Sequence, residues 1–188
     1  MPHIPATLLL AGLAQVPGGV QETFHEIYGG WSDPLSGAFA AGGDMDGDGF
    51  GDFAVVRNLP VRVVAYSGLA GTPLWTVALL GSNPWVTPQG LQIVGDVNGD
   101  SRADLAICDL GNDAVRMHSG ADGTLVWTMS DPAFPGLGWS VDGGGDTDGD
   151  GRPDLIVHST YAPHPTGFGR GACVILSGLD GIVLRVMY

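Results

Sequence analysis

The chain has 188 residues, of which 44% are apolar, and this length and composition favour one globular domain over a disordered chain. Its net charge of -13 and its lack of lysine exclude a basic surface for binding nucleic acid. Glycine occurs 32 times and proline 13 times without a collagen period, which indicates many tight turns between short strands. No stretch shows a sustained helical period. The composition therefore predicts an all-β fold.

The N-terminal stretch is apolar over residues 4–16, which is too short to cross a bilayer. Small residues just before Gln15 fit a signal-peptide cleavage site, although no lysine or arginine precedes the apolar run. A cleaved signal peptide, a disordered leader and an extra strand all stay open as interpretations. We therefore treat residues 1–21 as a leader and residues 22–188 as the folded domain.

An aspartate-rich loop of nine residues occurs three times, as loop 1 (44–52), loop 2 (96–104) and loop 3 (146–154). Each loop places an acidic or amide side chain at positions 1, 3, 5 and 9. These residues are Asp44, Asp46, Asp48 and Asp52 in loop 1, Asp96, Asn98, Asp100 and Asp104 in loop 2, and Asp146, Asp148, Asp150 and Asp154 in loop 3. Eleven of the 20 acidic residues thus lie in these loops, so the negative charge is local.

The spacing of these oxygens is typical of a site for a hard cation. Ligands two residues apart, with glycines between them, wrap one ion, and Ca2+ takes about 6–8 oxygens. Position 7 varies in chemistry, as expected where only its backbone carbonyl binds. The residues at position 7 are Phe50, Arg102 and Arg152. Like charges this close repel one another unless a cation neutralises them. One such stretch could be a solvated turn, but three in register predict about three Ca2+ sites.

The loops belong to a longer repeat, since Asp44 and Asp96 are 52 residues apart and Asp96 and Asp146 are 50 apart. Position 12 of each loop is apolar, where an EF-hand needs glutamate, so a strand follows the loop. These strands do not alternate polar and apolar residues, which predicts that both faces are covered. A strand ending in Ser-Gly and an outer strand come next. Four short strands per repeat are typical of β-propeller blades.

The third repeat is longer than the others, because its loop and its Ser-Gly pair are 23 residues apart rather than 15. The surplus, around Tyr161–Gly169, predicts a loop insertion at a blade edge, where specific function often lies. Tyr161, His164 and Arg170 are the functional residue types clustered there. We interpret them as side chains of an ordinary surface loop and not as a functional site.

The repeat resembles the FG-GAP repeat of integrin α-chain propellers and of many secreted bacterial proteins. The resemblance rests on residues 37–44, which run into loop 1, and on the glycine-alanine-aliphatic-Ser-Gly strand of residues 168–178, and it covers about residues 22–188. It implies a Ca2+ loop between the first two strands of each blade, with the loop residues above as ligands. It also implies an extracellular or cell-surface module. The chain departs from the family in two ways. It has three repeats, whereas the family's propellers have about seven blades, and loop 2 has Asn98 and Ser101 where the other loops have Asp and Gly.

Two classes of function follow from these features. One is a calcium-stabilised module for binding a protein or glycan in adhesion, and the other is a secreted carbohydrate- or lipid-active enzyme or its accessory propeller. No Gly-x-Ser-x-Gly elbow and no His-Glu-x-x-His motif occurs in the sequence, so we favour the binding module and expect no catalysis.

Other reactive residue types have structural interpretations. His118 and His158 occupy strand positions that are apolar or neutral in another repeat, and we predict structural roles for both. Cys108 and Cys173 lie in apolar strands of different repeats and are predicted to be buried. A disulfide between them stays open, and no spacing suggests zinc. Three acids near strand ends are predicted to be turn residues. They are Asp109, Asp113 and Asp142.

Three blades are fewer than the four to eight of a closed propeller. An open arc would leave the first and last blades each with an uncovered apolar face, which predicts self-association, for example as a six-bladed ring of two copies. Residues 23–27 align with an outer strand and have no blade of their own. A truncated propeller is the alternative.

Overall fold

The computed structural model describes residues 7–10, 25–28, 35–58, 60–79, 90–167 and 170–188. Fourteen strands lie in this part of the chain. They are β1 (Thr7–Leu10), β2 (His25–Tyr28), β3 (Leu35–Gly42), β4 (Asp52–Asn58), β5 (Val61–Tyr66), β6 (Pro73–Ala78), β7 (Leu91–Ile93), β8 (Leu105–Asp109), β9 (Ala114–His118), β10 (Leu125–Ser130), β11 (Leu137–Gly145), β12 (Asp154–Pro163), β13 (Arg170–Leu176) and β14 (Val183–Met187). One turn of 3-10 helix spans Leu110–Asn112. The all-β prediction is confirmed, and no helix within these ranges is long and apolar enough to cross a membrane.

Twelve of these strands form three antiparallel sheets of four strands each. Sheet 1 contains β3–β6, sheet 2 contains β7–β10 and sheet 3 contains β11–β14, and the strands of each sheet lie side by side in chain order. Loops 1, 2 and 3 each connect the first strand of a sheet to its second. These sheets are the four-stranded units that the repeat predicted.

The exposure of residues in the second strand of each sheet shows whether both faces of that sheet are buried. In β4 the consecutive residues Phe53, Ala54, Val55 and Val56 are each at most 6% exposed. Because neighbouring residues of a strand point to opposite faces, both faces of sheet 1 are covered. The same holds for β8. In β12, by contrast, Ile156 is 40% exposed, so the prediction of two covered faces is wrong for sheet 3.

Apolar side chains fill the spaces between successive sheets. One core cluster joins sheet 1 to sheet 2 and includes Val63 and Ile107. A second cluster joins sheet 2 to sheet 3 and includes Met117 and Val157. All four of these side chains are fully buried, so the three sheets stack face to face as propeller blades do.

In sheets 1 and 2 a tryptophan on the fourth strand connects the sheet to the one that follows it. The Nε1–H of Trp75 donates a hydrogen bond to the carbonyl oxygen of Gly120 at 2.6 Å, and that of Trp127 donates to Gly178 at 2.8 Å. Both indoles are buried, where an indole N–H requires an acceptor. The equivalent position in sheet 3, opposite the same residue of the third strand, is Arg185.

The N-terminal region contributes two short strands that pair with each other. β1 lies within the residues 1–21 that we treat as a leader, and β2 overlaps the predicted outer strand at residues 23–27. The two run antiparallel, with Thr7 opposite Tyr28 and Leu10 opposite His25. β2 therefore pairs with a strand of its own chain, but the two strands form a separate two-stranded sheet and not a four-stranded blade. The candidate cleavage site lies outside the described residues.

The extra residues of the third repeat lengthen a hairpin as well as its loop. β12 continues to Pro163, and β13 begins at Arg170 after a connection of residues 164–169. The N–H groups of Thr160 and Tyr161 donate to backbone carbonyls just before β11, which holds this part of the chain as a strand. The predicted loop insertion is thus partly strand.

The two ends of the stack differ. On the outer face of sheet 1, Phe53, Val55 and Tyr66 are at most 7% exposed and form a third cluster. On the outer face of sheet 3, Ile156 is 40% and Met187 is 41% exposed. Phe39 of β3, directly opposite Val55 on the same face of sheet 1, is 50% exposed. The prediction of an uncovered face at each end is therefore wrong for most of sheet 1 and confirmed for sheet 3.

The two cysteines also differ in burial. Cys108 lies between sheets 2 and 3, and burial raises the pKa of its thiol to about 12. Cys173 is half-buried on sheet 3, so the prediction of burial is confirmed for the first and wrong for the second. Both thiols are free, and the disulfide left open by the sequence is not formed.

Candidate metal centre

The first aspartate of each loop folds the loop backbone around its own carboxylate. Asp44 accepts hydrogen bonds from the N–H of Gly47 at 2.6 Å and of Gly49 at 2.8 Å. Asp96 and Asp146 accept bonds from the equivalent positions of loops 2 and 3. The φ angles of Gly47 and Gly49 are +82° and +87°, a conformation that favours glycine. The alternation of Asp and Gly is thus explained by backbone geometry.

The last aspartate of each loop is buried and connects the loop to its sheet. Asp52 is 1% exposed. One of its oxygens accepts from the N–H of Met45 at 2.7 Å and of Asp46 at 3.2 Å, and the other accepts from Gly68 at 2.8 Å. The carboxylate at position 9 therefore holds the start of the loop next to the end of the third strand.

Loops 2 and 3 repeat this arrangement. Asp104 accepts from the N–H of Val97, Asn98 and Gly120 at 2.9, 3.2 and 2.9 Å. Asp154 accepts from the backbone and hydroxyl of Thr147 and from a glycine at the end of β13. These contacts join residues that are six to 24 positions apart, so they set the shape of each repeat.

Burial raises the pKa of Asp52 and of Asp104, because it withdraws water from the charged carboxylate, while the backbone hydrogen bonds oppose this effect. A neighbouring loop carboxylate, Asp46 or Asp100, raises each pKa further. A divalent cation beside these groups would favour their charged forms. The electrostatics of position 9 are therefore those of a site that gains from a bound cation.

The glycine of each Ser-Gly pair is required by a close approach that sequence reasoning missed. A methyl group on Gly68 would lie 1.9 Å from the carbonyl oxygen of Gly51, and one on Gly120 would lie 1.7 Å from that of Ala103. Only glycine can therefore bring its N–H to the position 9 aspartate. The constant offset of 15 residues from Asp52 to Ser67 and from Asp104 to Ser119 was the available signal.

The serine of the Ser-Gly pair also contacts the loop. The hydroxyl of Ser67 donates to Asp48 at 3.5 Å, and that of Ser119 donates to Asp100 at 3.1 Å. Position 5 is thereby oriented by the third strand. Sequence reasoning identified these serines only as the ends of strands.

Carboxylate oxygens converge in two of the loops. In each group the ligand atoms lie within 4.8 Å of one another. The groups are Asp44, Asp46 and Asp48 in loop 1, and Asp146, Asp148 and Asp154 in loop 3. Since Ca2+–oxygen bonds are about 2.3–2.6 Å, oxygens this close can share one ion, and the all-oxygen donor set fits a hard cation. These clusters could hold a metal ion. The structure thus brings together three of the four predicted side-chain ligands in each.

Loop 2 differs because its position 3 is an amide, where loops 1 and 3 have a carboxylate. The Nδ2 group of Asn98 donates to Asp100 at 3.0 Å and to Asp104 at 3.5 Å. Ser101 adopts a φ of +67°, at a position that is glycine in the other loops. Loop 2 therefore has less negative charge and a strained residue in an otherwise equivalent backbone.

The arginines at position 7 reach from one loop to the preceding loop. The guanidinium of Arg102 donates to the carbonyl oxygen of Met45 at 3.2 Å, and that of Arg152 lies 3.9 Å from a carboxylate oxygen of Asp96. The sequence suggested a backbone role alone for Phe50 and for these arginines. The arginine side chains connect adjacent loops, and the carbonyl ligands stay a prediction.

Other reactive residues have structural surroundings. His118 is buried with Nδ1 2.9 Å from the carbonyl oxygen of Gly123, and burial lowers the pKa of its imidazole. Asp109 is buried in an ion pair with Arg116 at 3.0 Å. Asp113 accepts a backbone hydrogen bond and has a φ of +48°. The structural interpretation of His118 and the turn role of Asp113 are confirmed. Asp109 ends strand β8 and Asp142 lies within β11, so the turn prediction is wrong for these two acids.

The cluster predicted in the third repeat is dispersed. The His164 ring packs edge-on against Tyr188 with centroids 5.3 Å apart, and Tyr161 is 55% exposed on β12. Arg170 opens β13 opposite Pro163. Among the described contacts none joins Tyr161, His164 and Arg170 into one site.

No protein-family model and no curated protein sequence matches the chain. Among solved structures the chain is similar to BamB from Moraxella catarrhalis, with a TM-score of 0.53, 13% identity and coverage of 88% of this chain and 40% of that one. It is also similar to Saccharomyces cerevisiae Sqt1, with a TM-score of 0.52, 13% identity and coverage of 72% and 34%. Both are β-propeller-like, and the similarity shows the fold alone. The chain spans less than half of either protein.

Proposed function

We propose that the chain is a calcium-binding β-propeller module that presents its loop-bearing rim to a protein or glycan outside the cell. The observation that supports this proposal is the threefold repetition of one oxygen-lined loop with the same internal hydrogen bonds. In each of loops 1 and 3, three carboxylates converge within reach of one ion.

The chemistry of the loops favours Ca2+ over other metals. Every predicted side-chain ligand is an oxygen, which disfavours zinc and copper, because those ions prefer nitrogen and sulfur. Mg2+ demands a near-ideal octahedron and retains water, whereas Ca2+ accepts a flexible cage of carboxylates and carbonyls. Glycine-rich loops with three or four carboxylates suit the larger ion.

Calorimetric titration with Ca2+ tests the metal assignment. We expect about three ions per chain with dissociation constants on the order of 0.1–1 mM, as in extracellular sites, and weaker binding of Mg2+. Asp46→Asn should weaken the loop 1 site, whereas Asp180→Asn, at an exposed turn outside the loops, should leave all sites unchanged. Absence of binding heat in millimolar Ca2+ would overturn the assignment.

The contacts between neighbouring loops give the ions a role in binding. The N–H of Ala103 donates to the carbonyl oxygen of Asp44 at 2.8 Å, and Arg102 contacts loop 1 as described. An ion that orders one loop would therefore order its neighbour and the rim they share. Millimolar sites fill where Ca2+ is abundant, which favours an extracellular setting.

A glycan array and a pull-down from extracellular matrix proteins, each with Ca2+ or with chelator, test the binding role. We expect a ligand that is retained in Ca2+ and lost in chelator or in the Asp46→Asn, Asp148→Asn double variant. The double variant Asp122→Asn, Asp180→Asn, at two exposed turns outside the loops, serves as the control of equal charge change. A ligand retained equally with and without Ca2+ would contradict a role for the loops in binding.

A further inference from the structure

Each sheet presents a face to the sheet that follows it in the chain, and the strand registers define six equivalent positions on that face. In sheets 1 and 2 all six are apolar, and the central ones, such as Val63 and Val115, are fully buried by the next sheet. In sheet 3 the six are Ile156, His158, Cys173, Ile175, Arg185 and Met187. This set is the terminal face.

The terminal face keeps part of the apolar character of a blade interface. Ile156, Ile175 and Met187 remain large and apolar, and Ile156 and Met187 are 40% and 41% exposed. The tryptophan that binds the following sheet elsewhere is replaced by Arg185, which is exposed. An exposed face of this kind marks an interaction surface, but not one for another blade of the same sequence pattern.

The charges on this face have a regular placement. One row of directly opposed residues crosses all four strands, and it consists of Asp142, Ile156, Ile175 and Arg185 in that order. Asp142 and Arg185 are both exposed and lie at opposite edges, three strand spacings or about 14 Å apart. They are therefore too far apart for an ion pair within the sheet. Along the row the four side chains are therefore negative, apolar, apolar and positive.

A row of this kind is complementary to itself. A two-fold axis parallel to the strands, lying above the boundary between β12 and β13, places Asp142 of one copy opposite Arg185 of the other. The same rotation places Ile156 opposite Ile175. We infer that the terminal face pairs with the terminal face of a second copy of this chain, in an isologous interface.

Pairing through one face also agrees with the other end of the stack. A head-to-tail ring would need the outer face of sheet 1, but Phe53 and Val55 on that face are already buried in their own chain. The two-fold arrangement uses the terminal face alone. Four strands by about five residues give a face of roughly 14 by 17 Å, which is small for a stable complex. We expect a weak dimer with a dissociation constant on the order of 10 μM.

Sedimentation equilibrium of the purified chain in Ca2+ tests the inference. We expect twice the 19.3 kDa of one chain at about 200 μM and mainly single chains at about 1 μM. Ile156→Asp should abolish the dimer, whereas Leu125→Asp, at an exposed leucine of sheet 2 outside the terminal face, should leave it intact. A single-chain mass for the wild type at 200 μM would overturn the inference, as would equal dimerisation of both variants.

A charge exchange distinguishes this geometry from other dimers and does not depend on the folding of Ile156→Asp. Asp142→Arg alone and Arg185→Asp alone should each weaken the dimer at least tenfold, since each places like charges opposite each other. The double variant should recover most of the wild-type affinity, because both copies then have the exchanged pair. Full dimerisation of both single variants, or no recovery in the double variant, would overturn the proposed two-fold.

Discussion

Loops 1 and 3 each hold four carboxylates, whereas loop 2 holds three and the amide of Asn98. The loops nevertheless share the hydrogen bonds of position 1 and of position 9. In loop 2 the amide donates to two carboxylates and so relieves part of their repulsion. The comparison shows that oxygen acceptors set the shape of the loop, and we propose that the remaining negative charge sets its affinity for a cation. On this proposal the shape and the affinity can be changed separately.

The largest effect should come from removing the shared acceptor at position 9. Asp52→Ala and Asp104→Ala each leave three N–H groups without their acceptor, and we expect a loss of about 2–4 kcal/mol in the free energy of unfolding. Urea unfolding in chelator measures this without the contribution of Ca2+. Asp52→Asn keeps an oxygen and should lose less. A loss under about 1 kcal/mol in both alanine variants would contradict the role of position 9.

Changing the charge of loop 2 should remove its difference from the flanking loops. Asn98→Asp restores the missing carboxylate, and we expect about tenfold tighter Ca2+ binding, since ligand charge tunes affinity. Asp46→Asn makes the converse change in loop 1 and should weaken that site by a similar factor. Calorimetry on both variants measures the two effects. If Asn98→Asp left every site unchanged, loop 2 would not be limited by its charge.

The middle repeat also differs in its buried histidine, which replaces Tyr66 and Leu176 of the flanking repeats. Burial lowers the pKa of His118, so the unfolded chain binds the proton first. Its contribution to stability is therefore present above pH of about 6.5 and lost as the pH falls below that value, by up to about 1.4 kcal/mol per pH unit. His118→Leu should reduce this loss in urea unfolding at pH 7 and 5.5 in chelator. His164→Leu, at a half-buried histidine in the connection between β12 and β13, is the control, and an unchanged pH slope in His118→Leu would contradict the assignment.

The smallest effect should come from Ser101, which adopts a φ of +67° where the flanking loops have Gly49 and Gly151. Ser101→Gly should raise the free energy of unfolding by about 0.5–1 kcal/mol through relief of strain. The matched variant Gly49→Ser should lower it by a similar amount. Thermal unfolding of the pair measures both, and a destabilised Ser101→Gly would show that the serine side chain matters more than the strain.

Features encoded over short distances along the chain were predictable. The loops and the strands that follow them were placed correctly because ligand spacing and apolar runs are local patterns. Their position between the first two strands of each sheet, which the family resemblance implied, is also confirmed. Asn98 and Ser101 differ from the equivalent residues of loops 1 and 3, and this difference is visible in the sequence alone.

Contacts between distant residues were not predictable. The hydrogen bond from Trp75 to Gly120 joins positions 45 residues apart, and no local pattern encodes it. The strand formed by Tyr161 depends on carbonyls before β11, so its sequence alone indicated a loop. The half-buried Cys173 has the same apolar neighbours in sequence as a core residue. Its exposure is set by the absence of a following sheet within the described chain.

The central claim is that Ca2+ binds the three loops of the folded chain, and thermal unfolding in Ca2+ and in chelator tests it most directly. For three sites with the affinities expected above, about 2 mM Ca2+ should add roughly 2–5 kcal/mol. This corresponds to a rise of about 5–15 °C in the melting temperature, with a smaller rise in Mg2+. Identical melting curves in Ca2+ and in chelator would contradict the account.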